Sequence, residues 1–416
     1  MTFFGDLPTI ITFIFSLTIL SYYILLFMKQ KKPKQVHKFA SITIIIPAHN
    51  EEECIAEAIE SVIKAEFDGK KQIIVVDDGS IDKTYEIALK YKGIRVIRTK
   101  HSGKSNSLNK ALSYAKGDLI AVVDGDSRIN KDALKLMTKE VERKNVVAAT
   151  GIVKVSNRNK FICMWVHIEQ LYNSLIRSLL SKIHANIVTP GPLSVYRKKE
   201  VMELGGFSTE GFSEDMDITI RLIRKGYKIG FAEKAIAETN MPYDVKGFLR
   251  QRTRFARGIL NIFKRHMQLN KTIIDVYTLP LFLFAYMQAI IMGSFILYQI
   301  VSGYITYFAS KAIYFNLEVV KFFFEWFSII GFVKWFMGVF SGETALTFVT
   351  IIGIVATLLS YPLFILAIIK FDRKFDLRHL IAIFFMFPFW LLIMIIYILM
   401  APDYFRKQYN IWKKNE

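Results

Sequence analysis

Four stretches of the chain, residues 7–28, 276–310, 344–369 and 380–402, contain no Asp, Glu, Lys or Arg. Each is long enough as a helix to cross a hydrocarbon core, which takes about 20 residues. This excludes an ordinary soluble domain, a disordered chain and a protein with a single anchor. Charge is crowded into what remains: 55 Lys and Arg against 36 Asp and Glu give a net +19. The cations gather beside the apolar runs, at Lys29, Lys31, Lys32, Lys34 and Lys38. Positive-inside orientation and anionic headgroups select that pattern, so the expected partner is a lipid bilayer and no nucleic acid. The charges follow residues 7–28, and no small-residue cleavage site precedes Lys29. The stretch therefore reads as an uncleaved first span with its amino terminus outside, delivering the rest to the cytoplasm. Two cysteines, Cys54 and Cys163, build neither a disulfide framework nor a CxxC zinc pair.

Between the first two spans the pattern alternates. Residues 42–46, 72–76 and 119–123 are short apolar runs that read as parallel strands covered on both faces. Residues 51–64, 82–91 and 105–115 carry helical spacing, with Asp82 and Ser105 as caps. Such repetition means an α/β sheet with ligands at the carboxyl ends of its strands. Three polar clusters follow those ends: Pro47-Ala48-His49-Asn50-Glu51, Asp77-Asp78-Gly79-Ser80 and Asp124-Gly125-Asp126. Farther on, Ser213 caps a helix over 214–225 that Gly226 stops, and 245–265 forms a basic amphipathic helix suited to a membrane surface. A second amphipathic stretch, 315–340, reads as interfacial. The expected organisation is a first span with its basic segment (1–39), a cytoplasmic domain (40–243), an interfacial helix (244–275) and a membrane domain (276–416) with about three spans. Four spans put the loop 370–378 inside but the basic tail 406–414 outside, against its charges; a span at 322–340 would reverse both placements, and a break at Pro388 would make the last segment re-entrant.

The D-x-D of Asp124 and Asp126 offers two carboxylates that can grip a divalent cation and the phosphate oxygens it neutralises. Its bland alternative is a polar turn. Asp77 and Asp78 suit either a capped β-to-α turn or a reader of nucleobase and ribose donors. Gly103-Lys104-Ser105 is no P-loop, because Arg98 stands where the first glycine belongs, yet Lys104 at a helix start can neutralise a phosphate. Ser213-Glu214-Asp215 opens a helix. Asp215 there suits a general base that removes a proton from an acceptor hydroxyl, with the helix terminus expected to lower its pKa. Gln251, Arg254 and Phe255 fall within little more than one turn, so amide and guanidinium can approach a diphosphate together.

Taken in order, these residues resemble the family 2 glycosyltransferases, in particular the membrane-embedded synthases of poly-N-acetylglucosamine, hyaluronan and cellulose. The resemblance covers 42–258. It implies a GT-A fold, a Rossmann-like mixed sheet flanked by transmembrane and interfacial helices. It assigns the nucleotide-binding strand exit to Pro47, Ala48, Asn50 and Glu51 and the base-contacting pair to Asp77 and Asp78. It assigns G-K-x-x-x-L-N to Gly103, Lys104, Leu108 and Asn109, and metal-diphosphate binding to Asp124 and Asp126. The general base is Asp215, preceded by Glu214 and by Ser213 where Thr is usual. Gln251 and Arg254 match Q-x-x-R-W, with Phe255 in place of Trp. The implied reaction is inverting transfer from a nucleotide-sugar, best matched by UDP-N-acetylglucosamine, with Mg²⁺ or Mn²⁺, into a β-linked polysaccharide at the cytoplasmic face of the cell membrane. Phe255 keeps a stacking face but loses the indole N–H, which leaves single transfer to a polyprenyl-phosphate or other lipid-linked acceptor as the alternative. The resemblance also leaves room for a small membrane accessory subunit. An inactive, transferase-like membrane scaffold is the rival of another class.

Overall fold

A computed structural model describes residues 3–30, 33–268, 272–372 and 375–405. Lys31, Lys32 and the basic tail 406–414 lie outside the described residues. One eight-stranded sheet organises the domain, built from β1 (Ser41–Ala48), β2 (Lys70–Asp77), β3 (Arg95–Arg98), β4 (Leu119–Val122), β5 (Ser127–Ile129), β6 (Val146–Val155), β7 (Ser194–Arg197) and β8 (Lys228–Thr239). The order is β3-β2-β1-β4-β7-β6-β8-β5. β1 pairs in parallel with β2 (Ala48 opposite Asp77) and with β4 (Ile45 opposite Val122), while β7 runs antiparallel to β4 and β6. The parallel half therefore delivers three strand ends to one rim.

Every residue of β1 from Ile42 to Ala48 is buried, because helices cover both faces. Ile42, Ile44 and Ile46 pack with Ile55, Ile59 and Met137 on one side, and Ile45 with Leu108, Ala111 and Ile220 on the other. That alternation is the two-residue period of a pleated strand. The long helix Phe161–Lys182 lies behind β6 and β8. Its apolar face forms a shared core with the apolar carboxyl-terminal helices: Cys163, Leu171 and Leu175 belong with Leu363, Ile368, Met386 and Phe389.

Among the described residues, four helices are long and apolar enough to cross a membrane: Leu7–Phe27, Ile274–Lys311, Thr350–Phe371 and Met386–Tyr404. The stretch 315–340 is not one helix. It splits into Leu317–Phe327 and Ile329–Phe340, which meet at 87°. Ser328 has extended backbone there, and its Oγ accepts from the Ile330 N–H to start the second piece. The fourth apolar stretch breaks at Phe385 rather than at Pro388. Pro388 sits in the first turn of the Met386–Met400 helix, where an N–H has no partner inside the helix to lose.

Candidate active site

At the rim, the loops after β1 and β2 are knitted to each other. Ser80 Oγ accepts from the Asn50 N–H at 2.9 Å, Asn50 Oδ1 from the Ile81 N–H at 3.0 Å, and Thr84 Oγ1 from the Glu51 N–H at 2.7 Å. Asp77 is fully buried and turned inward, 3.2 Å from Arg98 Nε. Asp78 collects backbone donors: Oδ1 accepts from the Ser102 N–H at 2.9 Å and Oδ2 from the Gly103 N–H at 2.8 Å. Gly103 holds φ +95°, a conformation that a side chain would strain, and it caps the Lys104–Leu112 helix two residues before the expected Ser105 cap. His49 and His101, singled out by no sequence pattern, stack at 4.1 Å with both Nδ1 atoms near the Asp78 carbonyl.

A second group faces a cavity of about 1450 Å³ whose walls include Lys104, Asp124, Asp126, Glu214, Asp215, Gln251, Arg254 and Phe255. Pro47, Ala48, Asn50, Glu51, Asp77 and Asp78 share the rim without joining those walls. Lys104 Nζ is the hub, 2.6 Å from Asp124 Oδ1 and 3.1 Å from Glu214 Oε1. Burial works against its charge, yet the Asp124 and Glu214 carboxylates hold its pKa above the usual lysine value. Asp126 accepts from the Ser127 hydroxyl at 2.9 Å.

The Asp215 pKa reverses the expectation drawn from the helix terminus. Desolvation first, and then the Glu214 carboxylate, push it up to about 7, against Lys104 and the Met216 N–H, which donates to Oδ1 at 2.8 Å. The favourable helix end is outweighed because the carboxyl is withdrawn from water beside a second acid. Ser213 precedes the helix as expected but makes no side-chain capping bond. Several cations of the Val245–His266 helix turn into the protein: Arg252 forms a two-pronged pair with Glu169 (2.8 and 2.5 Å), and Arg257 reaches Asp403 at 2.8 Å. Gln251 keeps a buried Oε1 without a partner among the described residues, and Arg254 lies over the Phe255 ring at 5.7 Å.

Oxygen donors of this kind suit Mg²⁺ or Mn²⁺, and one backbone feature keeps space for a guest. A Cβ at Gly191 would collide with Lys104 Nζ and come within 2.5 Å of Asp124 Oδ2. The residues present therefore fit a divalent cation with its diphosphate. From the rim the cavity continues among the apolar helices, past Tyr172, Trp326, Trp335, Tyr361 and Trp390. The sequence reading missed the Phe161–Lys182 helix altogether. Its signal was a polar stripe, Glu169, Asn173 and Arg177, at four-residue spacing on an otherwise apolar face.

Residues 43–205 match the family model described as Glycosyl transferase family 2. The chain is 29% identical over 238 residues to the poly-beta-1,6-N-acetyl-D-glucosamine synthase of Staphylococcus aureus, covering 55% of this chain and 57% of the synthase. It is 29% identical over 269 residues to the probable glycosyltransferase YdaM of Bacillus subtilis, covering 61% and 64%. In both cases the match spans less than two thirds of the relative. A mannosyltransferase structure from Pyrobaculum calidifontis, in complex with GDP-Man and Mn²⁺, shares the fold with a TM-score of 0.60 at 17% identity, over 89% of this chain and 98% of that one. The mixed sheet is of GT-A type.

Proposed function

We propose that this chain, a glycosyltransferase whose residues 43–205 carry the family 2 domain, moves a sugar from a nucleotide-sugar donor, best matched by UDP-N-acetylglucosamine, onto a β-linked glycan at the cytoplasmic face of a membrane. The supporting observation is the convergence of Lys104, Asp124, Asp126, Asp215, Gln251 and Arg254 on one cavity that continues among helices able to cross a bilayer.

Asp124 and Asp126 would hold Mg²⁺ or Mn²⁺, which when bound neutralises the leaving diphosphate. Asp78 and the loops beside it hold the nucleoside. Lys104 and Arg254 face the charge that develops on the diphosphate oxygens, and the Gln251 amide orients them. Asp215 accepts the proton of the acceptor hydroxyl as that oxygen bonds to the anomeric carbon from the face opposite the leaving group, which inverts the centre. A base with a pKa near 7 is half ionised at neutral pH and still strong enough to take that proton. The aromatic walls beyond suit the apolar faces of sugar rings. The test is nucleoside diphosphate release and product size on the purified full chain with a panel of UDP- and GDP-sugars and Mg²⁺ or Mn²⁺. High-mass product from one donor, lost in Asp126→Asn, is expected; no turnover with any donor and acceptor would overturn the reading.

A further inference from the structure

Among the described residues, two His–Asp–His groups bring three metal-binding atoms within 4.8 Å of one another: His167, Asp372 and His379, and His49, Asp78 and His101. The first already has its cations. Asp372 lies 2.7 Å from Arg158 and 3.5 Å from Lys154, and the His167 Nδ1 lone pair is taken by the Val155 N–H. The second differs. The Asp78 carboxylate has the His101 ring as its ion-pair partner, Nδ1 to Oδ2 at 2.9 Å, and no lysine or arginine among the described residues.

The sheet explains the grouping. β3, β2 and β1 lie side by side and run parallel, with Ala48 opposite Asp77 and Asp77 opposite Arg98. His49 follows Ala48, Asp78 follows Asp77, and His101 comes shortly after Arg98. Three neighbouring strand ends thus deliver one donor each to the same corner. The two rings stack at 4.1 Å with 25° between their planes. Asp78 is buried and held by the Ser102 and Gly103 N–H groups, one on each oxygen. Such outer donors fix the orientation of a metal-binding carboxylate. The His101 side chain is 33% exposed, which gives an ion a way in from solvent. Metal bonds of about 2.1 Å set neighbouring ligands about 3 Å apart, close to the 2.9 Å between His101 Nδ1 and Asp78 Oδ2. We propose that His49, Asp78 and His101 form a site for a divalent transition ion, best matched by Zn²⁺, separate from the oxygen pair of Asp124 and Asp126. Two imidazoles and one carboxylate suit Zn²⁺, whereas Mg²⁺ prefers oxygen alone. Asp78 is also where the transfer reading seats the nucleoside, so the bound ion excludes the donor. That consequence rests on the transfer reading; the site itself does not.

The test titrates Zn²⁺ into the purified full chain in detergent, read by calorimetry, with Mg²⁺ in excess to occupy oxygen-only sites. His101→Gln and His49→Gln should each weaken Zn²⁺ binding by about 10- to 100-fold, while His379→Gln leaves it unchanged. Undiminished affinity in both of the first two variants, or an equal loss in His379→Gln, would overturn the site. A second readout needs no variant to fold. One equivalent of Cu²⁺ on the wild-type chain should show hyperfine coupling to imidazole nitrogen in its EPR spectrum, and ligation by oxygen alone would overturn the site as well. Donor turnover in excess Mg²⁺ is read separately. Zn²⁺ should raise KM for the nucleotide-sugar with kcat unchanged, and should do so less in His101→Gln. Zn²⁺ binding with no rise in KM would overturn the exclusion of the donor and keep the site. A chain silent with every donor sinks the transfer reading and the exclusion with it, while calorimetry still decides the site.

Discussion

Asp215 and Glu169 are both acids inside the protein, and their surroundings give them opposite duties. Asp215 is withdrawn from water beside the Glu214 carboxylate, so its pKa rises to about 7. Its conjugate base is the working form, so the transfer rate should fall as pH drops below about 7 and level off above it, which initial rates across pH 5.5–8.5 would check. Asp215→Asn should lower the rate by about 10²- to 10⁴-fold with donor binding kept, read by turnover beside calorimetry. Glu169 instead matches Arg252 prong for prong. Glu169→Gln would leave that guanidinium buried and uncompensated, at a cost of about 3–5 kcal/mol. Replacing both partners by Leu and Met should recover most of it, and thermal unfolding in detergent compares the three. The motif residues around the cavity were legible because D-x-D, Ser-Glu-Asp and Q-x-x-R are local in sequence. Glu169 was not, since its meaning depends on a helix whose partners lie far along the chain.

The parallel strands announced themselves as short apolar runs, each ending in a polar cluster. The mixed half, β5 to β8, in which β6 and β8 pair in parallel while β5 and β7 run antiparallel to their neighbours, did not, because its pairings join segments separated by long helices and its buried faces lack a single period. Breaks were also hidden. Nothing in the composition of 315–340 marks Ser328 as the corner, where the Glu325–Lys334 pair at 2.7 Å fastens the bend. The joint between domain and apolar helices is equally non-local. There Asp372, after the Thr350–Phe371 helix, meets Arg158 at 2.7 Å, His167 at 2.8 Å and Lys154 at 3.5 Å. His167 Nδ1 accepts from the Val155 N–H, so the ring is neutral and donates from Nε2 to Asp372. Burial and then Arg158 hold its pKa down to about 4, against the pull of Asp372. A depressed histidine pKa makes stability complete above the unfolded value near 6.5 and lost as pH falls toward 4. From pH 7 to 5 the loss should be about 2 kcal/mol. His167→Gln should flatten that slope in thermal unfolding across the same range.

At the scale of the molecule, the α/β domain and the apolar helices do not have separate interiors. Cys163, Leu171 and Leu175 share one core with Leu363, Ile368 and Phe389. A version ending at residue 268 should therefore be insoluble or aggregated rather than an active soluble transferase, which size-exclusion chromatography after expression would reveal. The same sharing has a consequence in time. His167 and the carboxylate that completes it are 205 residues apart. At about 5–20 residues per second, synthesis leaves the domain waiting roughly 10 to 40 s for that carboxylate. Throughout the interval, a nascent sheet already able to pair its strands shows one greasy, cation-studded back to whatever surrounds the ribosome.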